Sequence, residues 1–402
     1  MEWKTVNICD MCDSISATYS RGADMVVLIN TSDVLDGKFL NRERVPNKDL
    51  KGQFKKTFKR DDILYSEIRP ANKRFAYVDF DAIEYIASTK LMVLRAKPNV
   101  NPLFLYHILK SEDTLEKLQM LAESRSGTFP QITYSEMANV SVLLPDRATQ
   151  DKVVAILSSL DDKIENNNRI NRNLEAQAQA QALFKSWFVD FEPFGGTMPE
   201  DWKFDDISNI PHVLETGRRP KGGAVESGVP SIGAEHIKGM GTYDFSKTKY
   251  ITEDYARSMK SGKINGYELL IYKDGGKPGY FIPNFTIYGE GYPFEECYIN
   301  EHVLKLDFPS KAYNIFCYFY FQTPEVMNYL NAQGGKAAIP GINKSDIDNI
   351  NILTPDNNTV VEFGEIVLPY FTSILQNLAE NKRLATLRDT LLPKLMKGEI
   401  EV

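Results

Sequence analysis

The segment FPQITYSEMANVSVLLPD, from Phe129 to Asp146, returns as IPGINKSDIDNINILTPD from Ile339 to Asp356, so this chain must build one plan twice. At a constant offset of 210 residues Pro130 matches Pro340, Ile132 matches Ile342, Ser135 matches Ser345, Asn139 matches Asn349 and Leu143 matches Leu353. The Pro145-Asp146 pair likewise matches Pro355-Asp356. Ordinary residue usage yields roughly one such identity by chance, which makes this an internal repeat. Each copy opens into a long segment of helical periodicity, giving the order module, helix, module, helix.

The repeat continues into those helices. Val153, Leu157, Leu160, Ile164, Asn167, Asn171, Leu174 and Ala178 alternate steps of four and three, the apolar seam of a heptad helix. At the same offset stand Phe363, Val367, Tyr370, Ile374, Asn377, Asn381, Leu384 and Arg388. Asn within an apolar seam costs stability unless it meets a hydrogen-bonding partner, and then it fixes register. An antiparallel pairing brings Asn167 opposite Asn381 and Asn171 opposite Asn377. A helix of about 40 residues is roughly 60 Å long, so the pair is expected to hold the two modules at a set distance. Two separate amphipathic helices, each packed on its own module, are the plainer alternative.

Thr149 and Thr359 stand at equivalent positions, each placed to cap its helix, and Glu362 has capping-box spacing from Thr359. The first helix is expected to run to about Phe191, before the Pro/Gly-rich EPFGGTMPED, and the second to the neighbourhood of Leu392, where Pro393 and Gly398 end or fray it. The expected architecture is α+β. Residues 1–147 form the first module, 148–192 the first spacer helix, 193–357 a linker and the second module, and 358–402 the second spacer helix with a tail. In both modules β-branched and aromatic runs precede one helical stretch, NPLFLYHILKSEDTLEKLQML in the first and AYNIFCYFYFQTPEVMNYL in the second. The openings also agree, Glu2-Trp3-Lys4 against Asp201-Trp202-Lys203.

With 402 residues the chain has room for two or three domains. No run of 18 apolar residues occurs and MEWKTVNICDMCDS lacks the plan of a signal peptide, which points to the cytoplasm with no membrane contact. The four cysteines do not suggest a disulfide framework. Cys9-x-x-Cys12 has metal or redox spacing but no second pair at metal distance, and the four histidines are scattered.

The net charge of −7 argues weakly against nucleic acid, but its distribution does not. Lys38, Arg42, Arg44, Lys48, Lys51, Lys55, Lys56, Lys59 and Arg60 face only Glu43 and Asp49, a local net of +7. Such a block neutralises phosphates and steers DNA; a solvated loop or a contact for an acidic protein partner is the plainer alternative. In the acidic second module the candidates are Arg218, Arg219 and Lys221 in GRRPKGG, Lys277 in GGKPG and Lys336 in GGK, where glycine lets the backbone approach a phosphate. The last of these loops corresponds to Arg125-Ser126-Gly127-Thr128 in the first module, with Gln131 just beyond. Ordinary tight turns account for the same glycines.

Catalytic signals are sparse. Asn101-Pro102-Leu103-Phe104 approaches an amino-methyltransferase motif but lacks its second proline and a cofactor loop, and a helix start with Pro at its first position explains it better. The sequence contains no Walker loop and no spaced acids and lysine of a nuclease.

The doubled modules, the PD-x-x-T helix entries, the LFKSWFVDFEPF ending of the first helix and the LLPKLMKGEI ending of the second resemble the specificity subunit of a type I restriction-modification complex. The resemblance covers essentially the whole chain. It implies two target recognition domains, each reading one half of a split site in double-stranded DNA, and helices that set the spacing and dock two methyltransferase subunits. Those subunits would supply S-adenosylmethionine and methylate adenine N6. Restriction subunits would add ATP- and Mg-dependent translocation and cleavage, leaving this chain without catalysis or cofactor. A coiled-coil adaptor for proteins and a stand-alone DNA-modifying enzyme are the other classes compatible with the residues.

Overall fold

The computed structural model describes residues 3–402 apart from 21, 49, 51, 125–129, 173, 241–244, 246–247, 276–278 and 336–339; within the first spacer helix it leaves out the side chains of 172–177. The chain divides into two units, Met1–Lys163 with Leu384–Val402, and Ile164–Arg383. Each long helix therefore contributes to both.

In the first unit a four-stranded sheet has the order Cys12–Ile15, Leu91–Ala96, Asp62–Ser66, Phe75–Tyr77, all antiparallel. Alternation along its central strands decides the layers, because successive side chains of a strand leave opposite faces. Ile63, Tyr65, Met92 and Leu94 join the cluster of Phe104, Leu105 and Ile108 on the helical side. Leu64, Leu91 and Val93 join Val27, Ile29 and Ala87 on the other. There a second sheet, ordered Arg44–Pro46, Met25–Ile29, Tyr85–Ser88, Phe54–Lys56, covers the first, and its two middle strands are parallel.

The second unit repeats this construction. Val213–Thr216, Val303–Asp307, Leu269–Tyr272 and Phe285–Ile287 form the equivalent four-stranded sheet in the same order. Leu269, Ile271, Leu304 and Leu306 face the helices, whereas Leu270 and Val303 face Ile232 and Ile299 of a three-stranded sheet that again contains one parallel pair. In both units the strand that opens the module pairs antiparallel with the one that closes it: Lys4–Asn7 with Ser141–Leu144, and Lys203–Asp206 with Asn351–Thr354.

The single helix expected in each module is two. Ser111 ends Pro102–Lys110 and caps Glu112–Glu123 by accepting from the Thr114 N–H, while Thr323-Pro324 separates Lys311–Tyr320 from Pro324–Gly334. Serine with extended backbone and proline at a first helical position both reset the chain direction. Asn101 does cap the helix that Pro102 starts, accepting from the Leu103 and Phe104 N–H groups.

The spacer helices occupy Arg147–Arg172 with Leu174–Phe188, and Asn357–Met396. They pair antiparallel within each unit. In the second unit, Asn167 donates to Asn381 at 2.9 Å and to Glu380 at 2.7 Å, Asn381 donates to Asn168 at 2.8 Å, and Asn377 donates to Asn171 at 2.9 Å. Asn171 donates in turn to the Ile374 carbonyl at 3.2 Å. In the first unit Arg388 pairs with Asp161 at 2.6 Å, and Val153 and Leu157 pack in one cluster with Leu395 and Met396.

Two helix-end expectations are corrected. The caps are Asp146 and Asp356, not the threonines. Asp146 Oδ1 accepts from the Thr149 N–H at 2.9 Å and Oδ2 from the Thr149 hydroxyl at 3.3 Å, and Asp356 does the same for Thr359 at 3.0 and 2.6 Å. A carboxylate at the helix start also meets the positive end of the helix dipole, which a hydroxyl cannot match. The second helix also passes Pro393 and ends at Met396, because burial of Leu395 and Met396 outweighs the one backbone bond that proline forfeits. Gly398 then closes it with a φ of +70°, and a Cβ there would lie 2.4 Å from Trp3 Nε1.

Candidate nucleic-acid interface

The basic block of the first module is continuous in sequence but not in space. Arg44 lies on one edge strand of the second sheet and Lys55 and Lys56 on the opposite edge, three strand spacings or roughly 14 Å apart. Lys38, Arg42, Arg44, Lys48, Lys55, Lys59 and Arg60 are exposed. Several already have internal contacts: Arg44 pairs with Glu84 at 2.6 Å, Arg42 lies 5.4 Å from the Phe80 ring centroid, and Arg60 donates to the Asp79 carbonyl. Lys56 turns inward, donating to the Leu91 carbonyl at 2.8 Å, and burial lowers its pKa. Lys51, Arg125, Thr128, Lys277 and Lys336 lie outside the described residues.

Arg218, Arg219 and Lys221 are exposed on the turn after Val213–Thr216. Arg219 is held 2.8 Å from Glu301, which stands 3.4 Å from His302 Nε2, and His302 Nδ1 pairs with Asp274. These contacts adjoin the place where Asp274 and Gly275 meet Pro340 and Gly341. The Gly275 N–H donates to Pro340 O at 3.0 Å, the Gly341 N–H to Gly334 O at 3.0 Å, and Asp274 bridges to Gly341. Sequence-distant loops are thus tied into one corner.

The first module has the same corner. Its Arg69 N–H donates to Pro130 O at 3.1 Å, Ile132 N–H to Glu67 O at 2.8 Å and Glu67 N–H to Lys90 O at 3.0 Å, while Ile68 bridges to Gln131. In the second module Gly275, Ile342 and Lys273 make the equivalent bonds to Pro340, Lys273 and His302 at 3.0, 2.8 and 3.0 Å. The backbone is conserved between the copies and the side chains are exchanged: Lys90 stands where His302 does, Glu67 where Lys273 does, and Gln131 where Gly341 does. Lys90 Nζ lies 3.4 Å from Glu67 and 3.5 Å from Gln131. Sequence reading named Gln131 and Arg219 but missed Lys90, Asp274, Glu301 and His302. The only signal was the repeat itself, which aligns Pro130 with Pro340.

Among the described residues no group of three or more His, Cys, Asp or Glu side chains is arranged to hold a metal ion, and no helix is long and apolar enough to cross a membrane. Cys12 is buried, its thiol pushed up to about 12 chiefly by desolvation, which suits packing rather than nucleophilic chemistry.

Residues 1–176 match the family model described as the type I restriction modification DNA specificity domain. Over 99% of its length the chain is 34% identical to the type I restriction enzyme HindI specificity subunit of Haemophilus influenzae, all of which is covered. It is also 27% identical to the MjaIX specificity subunit of Methanocaldococcus jannaschii, over 74% of this chain and 69% of that one. The crystal structure of the type I restriction-modification S subunit from M. genitalium shares the fold, with a TM-score of 0.56 at 16% identity over 98% of this chain and 96% of the other. A doubled α+β module on paired antiparallel helices, together with similarity along the full length, places this chain in the family of DNA specificity subunits of type I restriction-modification systems.

Proposed function

We propose that each module reads one half of a bipartite, asymmetric site in duplex DNA, and that the spacer helices set the gap between the halves. The observation that carries this reading is the repeated frame with unlike surfaces: one backbone corner, built twice, bears Lys90 and Gln131 in one module and His302 and Gly341 in the other. A protein that needed one specificity would have no reason to vary the second copy. Basic residues of the first module, Lys38, Arg42, Lys55 and Lys59 among them, and Arg218 and Lys221 of the second, contact phosphates and fix position, whereas sequence is read from base edges.

In this reading the same helices dock two methyltransferase subunits, which carry S-adenosylmethionine and transfer its methyl group to adenine N6. Restriction subunits bring ATP and Mg-dependent cleavage, and the assembly works in the cytoplasm. The asparagine ladder at Asn167, Asn171, Asn377 and Asn381 keeps the register of the pair, because sliding by one turn would bury amides without partners.

Co-expression with its methyltransferase partner tests the proposal. The expected product is a complex with two methyltransferase chains that binds duplex DNA with a steep salt dependence. A chain that captures other proteins through both modules but gives no salt-dependent DNA binding with the methyltransferase present would instead be an adaptor.

A further inference from the structure

The two equivalent corners have a feature that ordinary phosphate clamps lack: carboxylates stand directly beside their basic groups. In the second module Glu301 and Asp274 flank Arg219 and His302, and in the first Glu67 lies against Lys90, which also reaches Gln131. A carboxylate next to a phosphate is repulsive, whereas base edges offer donors as well as acceptors, so a corner of paired acceptors and donors suits bases. Arg219 also has what base reading by arginine requires. Its side chain is 71% exposed, and its Nε lies 2.8 Å from the Glu301 carboxylate, so the guanidinium is paired at one side and still largely open to solvent. Arginine uses such a planar fork to grip guanine O6 and N7.

Resting on the reading that this chain recognises DNA, we propose that these corners are the base-reading positions of the two modules: Arg219, positioned by Glu301, His302 and Asp274, reads a guanine in one half-site, and Gln131, held beside Lys90, reads a base in the other. The exchange of side chains at this corner is then a cause of the difference between the two half-sites. Gly341 belongs to the same device. A Cβ there would lie 2.7 Å from Asp274 Cβ and 3.0 Å from the Lys273 carbonyl oxygen, so the close approach of the two backbones leaves no room for a side chain at the position where the first module displays Gln131.

The test is a map of methylated adenines in DNA from cells making the methyltransferase complex with the unaltered chain or with Arg219→Ala, Arg219→Lys, Glu301→Gln or Gln131→Ala. Melting curves of each purified complex show that it is assembled. Arg219→Ala and Arg219→Lys should both relax one guanine position of a single half-site by roughly 10- to 100-fold, because lysine restores the charge but not the fork. Glu301→Gln should relax the same position by less, and Gln131→Ala should relax a position in the other half-site only. A uniform fall in methylation that Arg219→Lys restores would assign Arg219 to a phosphate and overturn the proposal. So would unchanged half-sites in all four variants, or changes in the wrong half. If the unaltered complex methylates no bipartite motif, the functional reading itself fails, which is a separate result.

Discussion

The two modules share a sheet order, a closing strand pair and a loop corner, yet each neutralises buried charge in its own way. In the first, Asp62 is fully buried and receives Arg95 from the neighbouring strand through Nε and Nη2 at 2.7 and 2.8 Å, along with the Lys59 N–H at 2.9 Å. In the second, the buried Lys305 serves two carboxylates, Glu215 at 3.0 Å and Glu268 at 3.9 Å, and Glu268 also accepts the Asn265 and Gly266 N–H groups. Both arrangements sit on the strands of the central sheet. What the duplication preserved is the geometry of the backbone, and what diverged is how polar groups are satisfied on it, inside as well as on the surface.

Breaking these charge groups should separate the modules most strongly. Lys305→Met would leave the buried Glu268 and the partly buried Glu215 without the cation they share, a loss of about 4 kcal/mol in the second unit measured by chemical denaturation. Arg95→Met should cost less, about 3 kcal/mol, since the Arg95 side chain is 35% exposed and water can reach the vacated side of Asp62. Equal losses would mean that the difference between the two interiors has no energetic weight.

The smallest effect concerns a feature that the copies share. Hydrogen bonds from the Thr149 N–H to Asp146, and from the Thr359 hydroxyl to Asp356, hold both carboxyls below the usual 3.8. A pKa lowered in the folded state contributes stability above the unfolded value and loses it as pH falls through the folded one. Asp356→Ala should therefore cost about 1 kcal/mol at neutral pH. Asp146→Asn and Asp356→Asn should keep the caps but flatten the decline of stability below about pH 4. A thermal-melting series across pH would detect a steeper acid limb in one copy, which would show that the two caps are not equivalent.

Much of this frame was legible in the sequence because it is local or periodic. The repeat, the heptad seams and the Asn pairs needed only spacing, and Asn101-Pro102 announced its own helix start. The helix caps were misassigned by three residues, since Asp and Thr both occur in the PD-x-x-T entry and only geometry shows which accepts. The basic block was visible as charge, but not that Arg44 and Lys56 occupy opposite sheet edges or that Lys56 turns inward. The corner of Asp274, Glu301 and His302 depends on pairings between residues tens of positions apart, which no local pattern carries.

The proposed function requires that the paired spacer helices set the gap between two unlike readers. Removing one heptad from each spacer helix, in register, and mapping methylated adenines tests it most directly. The account predicts a motif whose two half-sites are unchanged and whose gap alone is altered; a motif with altered half-sites and the original gap would contradict it.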